Sequence, residues 1–266
     1  MAWKMLNLTD QLALLREMIE LLVTERSSAP SSSPADADLL SVWRGLVNTR
    51  PAQPVSATYL ALEDRFLRWW NSRSIKTLVD CQQVADQVYL YEGDVTQLAV
   101  SAIVNPANSE LLGCFHANHL CLDNAIHTFA GVRLRLTCAR LMAEQGRKEA
   151  VGQAKLTPAF HLPADHVIHT VGPFIPAGQA VSSIRASLLR QSYLACLSLA
   201  KQEGLESIAF PCISTGQFGF PRREAAQIAL ETVRNWLVET GSQMTIVFTL
   251  YTEEDKQIYQ ELLTGE

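Results

Sequence analysis

From residue 84 onward the chain alternates short apolar runs with longer amphipathic stretches, and this alternation constrains the fold more than any other feature. The apolar runs are Val88–Tyr91, Ala102–Asn105, His166–Val171, Ser207–Pro211 and Met244–Leu250, each of strand length and rich in Val, Ile and Phe. Between and after them Asp123–Glu144, Val181–Glu203, Arg222–Glu239 and Glu253–Leu263 carry helical patterning. Short apolar strands separated by long helices bury their surfaces only as a sheet covered on both faces, so an α/β fold is expected. Ligands of such sheets sit beyond the strand ends, where loops meet helix N-termini.

Residues 1–80 follow a different pattern, and the chain divides into a helical extension (1–80) and an α/β domain (81–266). Leu12, Leu15, Ile19 and Leu22 fall at helical spacing within Asp10–Arg26, with Thr9 as the expected N-cap. The segment SSAPSSSPADAD, residues 27–38, is expected to be a linker or exposed loop. Further helices are expected over 39–47, before Pro51 and Pro54, and over 57–71. Phe66, Trp69 and Trp70 on the last of these are expected to pack on the α/β domain rather than bind nucleic acid.

Hydrophobic residues make up 48% of the chain and charged residues 18%, which suits a packed core and not a disordered chain. The net charge of −5 and the lack of a basic block argue against a nonspecific nucleic-acid surface. No apolar run approaches the roughly 18 residues of a membrane span. The opening MAWKMLNLTD lacks the layout of a signal peptide, so a cytoplasmic location is expected. The six cysteines are then expected as thiols or metal ligands rather than disulfides.

Four loop motifs carry the chemistry. Gly93-Asp94-Val95-Thr96 follows a strand, and its acid can accept a hydrogen bond from an exocyclic amine or a hydroxyl. Asn105 and Asn108 end another strand, and an amide that both donates and accepts suits a ribose diol. Ser214-Thr-Gly-Gln-Phe-Gly-Phe-Pro221 leads from a buried strand to a helix start, where backbone N–H groups and the helix dipole favour phosphate. It matches neither the Walker nor the Rossmann glycine pattern. Between the second and third of these, Cys114, His119 and Cys121 stand at C-x4-H-x-C spacing, with His116 and His127 nearby. Thiolates and an imidazole together suit zinc. Three protein ligands leave an open position, whereas His116 as a fourth would close the site and make it structural. His127 falls on the next helix and is free to face the core instead.

In their order along the chain these motifs resemble the macrodomain family: G-D-V-T at Gly93–Thr96, V-N-P-A-N at Val104–Asn108, D-x-x-I-H-x-x-A-G at Asp123–Gly131 and S-T-G-x-F-G-F-P at Ser214–Pro221. The resemblance covers about residues 84–263. It implies a three-layer α/β/α sandwich with a mixed central sheet, here with an N-terminal helical extension. In place of a glycine-rich stretch stands Gly113-Cys-Phe-His-Ala-Asn-His-Leu-Cys121, which resembles the zinc-dependent macrodomain branch, with Ala117 where that branch has Pro. That branch accompanies sirtuin-type ADP-ribosyltransferases and a lipoyl-carrier protein of the glycine-cleavage type.

The resemblance implies a zinc-dependent protein-ADP-ribose hydrolase that removes mono-ADP-ribose from an acidic side chain, with such a lipoyl carrier as the target. Asp94, with the Val95 backbone, would take the adenine. Ser214, Thr215, Gly216, Gln217 and Phe218 would wrap the diphosphate, with Phe218 or Phe220 packing on a ribose. Asn108 would bind the distal ribose and Asp123 would act beside it. Cys114, His119 and Cys121 would hold Zn2+, which either activates water or grips a ribose hydroxyl. A carboxylate beside a cation is expected to have a depressed pKa. Two other readings stay open: a module that binds ADP-ribose without cleaving it, and a zinc-stabilised scaffold without a small ligand.

Overall fold

The computed structural model describes residues 7–26 and 35–264. The strands are β1 (Gln82–Ala85), β2 (Val88–Glu92), β3 (Ala102–Pro106), β4 (Ala154–Pro158), β5 (His166–Thr170), β6 (Ser207–Phe210) and β7 (Thr245–Leu250). They form one mixed sheet in the order β1-β2-β7-β6-β3-β5-β4. The inner pairings are parallel, and only the two edge strands run antiparallel to their neighbours. The parallel strands are apolar because both sheet faces are covered. Successive residues point to opposite faces. Val104, Ile168, Ile208, Phe210, Ile246 and Phe248 pack against α6 (Ser183–Gln202), α7 (Arg222–Thr240) and α8 (Glu253–Thr264). Ile103, Val167, Ala209 and Val247 pack against α4 (Leu122–Ala130) and α5 (Val132–Gln145). The three-layer sandwich with a mixed central sheet is the fold of this chain.

β1 and β4 escaped the apolar pattern because edge strands face solvent along one side: β1 reads QQVA and is mostly exposed. The single helix expected over Asp123–Glu144 is two helices. They meet at Gly131, whose φ of 92° suits glycine. A Cβ there would lie 2.8 Å from Glu63 Oε2 and 3.0 Å from His161 Nδ1.

The extension forms α1 (Leu8–Glu25), α2 (Leu39–Asn48) and α3 (Ala57–Ser72). Asn7, not Thr9, caps α1, its Oδ1 accepting the Asp10 N–H at 2.9 Å. Of the expected linker, residues 27–34 lie outside the described residues, and Asp36–Asp38 form a 3-10 turn into α2. The three helices share their own apolar cluster, built on Met18, Leu22, Trp43, Tyr59 and Phe66, which closes on Val132 of α5. Trp70 stacks on Phe129 of α4 at 5.8 Å and so packs on the α/β domain as expected, whereas Phe66 sits in the extension's own cluster against Trp43. Glu63 completes the junction: its buried carboxylate accepts the Val132 N–H at 3.1 Å and stands at the N-terminus of α5.

Candidate active site

The loops that leave β2, β3, β5, β6 and β7 at their C-terminal ends enclose one cleft of about 880 Å³. Of the residues named from the sequence as ligand or metal contacts, Asp94 and Val95, Asn108, Cys114, His119, Cys121, Asp123, and Ser214 through Phe218 line it. Phe220 does not, because its ring turns into the core beneath α7.

Asp94 caps a 3-10 turn, its Oδ1 accepting from the Thr96 N–H at 2.9 Å and the Thr96 hydroxyl at 2.8 Å. No described residue bonds its Oδ2, which stays available to a ligand. Asn108 is also committed locally: Nδ2 donates to the Gly113 carbonyl at 3.1 Å and Oδ1 accepts the Glu110 N–H at 3.0 Å. One amide hydrogen is left over.

In the β6–α7 loop the Thr215 hydroxyl bonds the Cys212 carbonyl at 2.9 Å, and the Gly219 N–H bonds the Gly216 carbonyl at 3.0 Å. The N–H groups of Gly216, Gln217 and Phe218 donate to no described residue, which leaves a row of donors for an anion. Gly172 lets this loop in: a Cβ there would sit 2.1 Å from Ser214 Oγ.

Beside this loop, donor atoms of Cys114, His119 and Cys121 all lie within 4.8 Å of one another. Cys114 Sγ is 3.6 Å from His119 Nδ1, while His119 Nε2 meets Gln217 Nε2 at 2.9 Å. His116 is exposed and stands outside the group, so the four-ligand arrangement is not the one the fold brings together. Cys121 is the N-cap of α4, its Sγ accepting the Asn124 N–H at 3.4 Å. Burial pushes its thiol up to about 11, and that hydrogen bond pulls the other way.

Comparison with known proteins places this arrangement. The Macro domain family model matches residues 104–229. A Staphylococcus aureus (strain MRSA252) protein named protein-ADP-ribose hydrolase is 49% identical over 225 residues, 84% of each chain. A protein of the same name from Treponema medium is 45% identical over 237 residues, 87% of this chain and 90% of that one. The Trypanosoma brucei macrodomain, solved in complex with ADP-ribose, superposes with a TM-score of 0.63 at 30% identity, over 83% of this chain and 94% of that one.

This chain belongs to the macrodomain family.

Beneath the macrodomain's cleft, Asp123 sits in the first turn of α4, buried. Desolvation pushes its carboxyl up to about 6, while the Asn105 hydrogen bond and Arg135 pull it down. The depression expected beside a cation therefore has a burial effect of opposite sign to overcome. Asn105, offered by the sequence with Asn108 for a ribose diol, is instead fully buried and does not line the cleft. Its Nδ2 donates to Asp123 Oδ1 at 2.8 Å and to His169 Nδ1 at 3.1 Å, and His169 Nε2 meets the Thr157 hydroxyl at 2.9 Å. His127 faces the core, with Nε2 3.6 Å from Asp123 Oδ1. Burial pushes the His169 imidazole down to about 3 and holds His127 well below its usual range, so both rings are neutral at pH 7. Arg44 of α2, from the extension, also lines the cleft. Nothing in its local sequence marks it, since its partners lie in a distant loop.

Proposed function

We propose that this macrodomain is a zinc-dependent protein-ADP-ribose hydrolase that removes mono-ADP-ribose from an acidic side chain of a target protein. The observation that carries this reading is the position of the Cys114, His119 and Cys121 donors in the same cleft as Asp123 and Asn108. The name of the Staphylococcus aureus and Treponema medium relatives supports the hydrolase part. A lipoyl-carrier target rests on the resemblance to the zinc-dependent branch.

Two thiols and an imidazole fit zinc. A thiol pushed to about 11 stays protonated at neutral pH unless a cation draws the proton off, and Cys121 at the N-terminus of α4 is aided by the helix dipole. Zinc held there supplies a Lewis acid for an oxygen of the substrate or of water. The chain's own residues do the rest. Asp94 Oδ2 and the Val95 backbone take the adenine, and the free N–H groups of Gly216, Gln217 and Phe218 take the diphosphate. The spare amide hydrogen of Asn108 reaches the distal ribose. Asp123, fixed by Asn105, orients the attacking water or the ribose. Hydrolysis breaks the bond between the ribose and the acidic side chain, adds water across it, and releases ADP-ribose and the free carboxyl group.

An Asp-linked mono-ADP-ribosylated protein serves as the test substrate. The native protein is expected to release ADP-ribose; chelator-treated protein and the Cys121→Ser variant are expected to bind ADP-ribose and release none. Release at the native rate by the chelated protein removes the metal from the reaction. Binding without release by the native protein makes it a reader instead.

A further inference from the structure

The three proposed metal ligands lie on a loop, 113–121, that has no regular secondary structure before α4 begins. Such a segment has no backbone ladder to fix it, so its geometry depends on what grips it from outside. The grip comes from α2, on the N-terminal extension. Arg44 donates through NH2 to the His119 carbonyl at 3.0 Å and to Asn124 Oδ1 at 3.0 Å. Asn124 passes the contact on: its Nδ2 donates to the His116 carbonyl at 3.1 Å, and its N–H donates to Cys121 Sγ at 3.4 Å. One turn further along α2, Asn48 Oδ1 accepts the Asn118 N–H at 3.0 Å, while its Nδ2 donates to the Thr128 hydroxyl of α4 at 2.8 Å.

Asn48 is 1% exposed, and a buried amide is tolerated only when its bonds are made. Both its ends are spent on joining the loop to α4. Asn118, which it holds, has a φ of 55°, in the left-handed region that Asn enters more readily than most residues. His119, the next residue, is thus fixed on both sides of its backbone: at the preceding N–H by Asn48 and at its own carbonyl by Arg44.

We infer that α2 of the extension is a positioning element for the metal-binding loop, with Arg44 and Asn48 as its positioning residues. This rests on the metal reading above. Partners that orient ligand residues from behind contribute about 10- to 100-fold to metal affinity. α2 is then part of the machinery of the cleft and more than packing on its outside.

Cobalt(II) titration of the full chain, followed by its thiolate charge-transfer and d–d absorption, tests this. Native protein, Asn48→Ala, Arg44→Met and Cys121→Ser are compared, and each is also titrated with ADP, which reads the adenine and diphosphate end and not the distal ribose. For Asn48→Ala and Arg44→Met the expected result is cobalt binding weakened about tenfold or more with altered bands, and for Asn48→Ala, which is buried and does not line the cleft, ADP affinity within about twofold of native. Native cobalt affinity and spectrum in both variants overturn the inference. So does loss of ADP binding in step with cobalt binding in Asn48→Ala, which would make that residue a general support of the fold. If native protein shows no thiolate band, or Cys121→Ser leaves it unchanged, the metal reading itself fails and takes the inference with it.

Discussion

Glu63 ties the extension to the catalytic layer, and its charge is the point at which pH reaches that junction. The carboxylate stands at the N-terminus of α5, where the helix dipole and the Val132 N–H favour the ionised form. Burial opposes this and wins: the side chain is 0% exposed, and its pKa rises from 4.5 to about 7. The hydrogen bonds from Val132 and Tyr59 and the nearby Arg133 recover only part of the loss. Between these two pH values the folded chain keeps a proton that the unfolded chain has released. Stability is therefore greatest below pH 4.5 for this group and falls as pH rises through 7. At about 1.4 kcal/mol per pKa unit, the loss between pH 5 and pH 8 is about 2 to 3 kcal/mol. Glu63→Gln keeps a carbonyl oxygen for Val132 and cannot ionise. Urea denaturation of both proteins at pH 5 and pH 8 reads the difference, and the shifts of other groups, Asp123 included, cancel between them. Relative to native protein, the variant is expected to gain about 2 to 3 kcal/mol on going from pH 5 to pH 8. A stability difference that stays the same at both pH values refutes the burial argument.

Two further predictions bear on the cleft. Asn105→Leu keeps the branched shape of the side chain and removes the hydrogen bond that fixes Asp123 Oδ1, together with the one to His169. A hydrogen bond to a charged group is worth about 1.5–3 kcal/mol, so single-turnover hydrolysis is expected to fall about 10- to 100-fold with ADP affinity unchanged. A native rate would show that Asp123 needs no such support. Gly172→Ala drives a methyl group to 2.1 Å from Ser214 Oγ, which can rotate aside, and to 2.8 Å from Cγ2 of the fully buried Ile213, which has no room to do so, and should push the β6–α7 loop out of place. ADP binding by calorimetry is expected to weaken about tenfold or more, the roughly 1.4 kcal/mol that one displaced phosphate contact represents. Unchanged affinity would take the diphosphate away from Ser214–Phe218.

The inner sheet was legible in the sequence because strands buried on both faces, such as the TIVFTL of β7, are mostly apolar along both faces. The edge strands were not, since one exposed side removes the signal. The loop residues were legible for a different reason. Asp94, Asn108, Cys114, His119, Cys121 and Ser214–Phe218 are chemically unusual where they stand, and their spacing lies within short segments. Only the tertiary structure decided the rest. It broke the helix at Gly131, where the carboxylate of Glu63 comes close, 69 residues away from the Val132 N–H it caps. It put Asn105 against Asp123 and left His116 outside the metal group. It also set Arg44 on the His119 carbonyl across 75 residues of chain. Periodicity and motif spacing record what neighbouring residues do for one another. A bond between a helix of the extension and a loop of the cleft leaves no such pattern, because either partner alone looks like an ordinary surface residue until the fold closes them together.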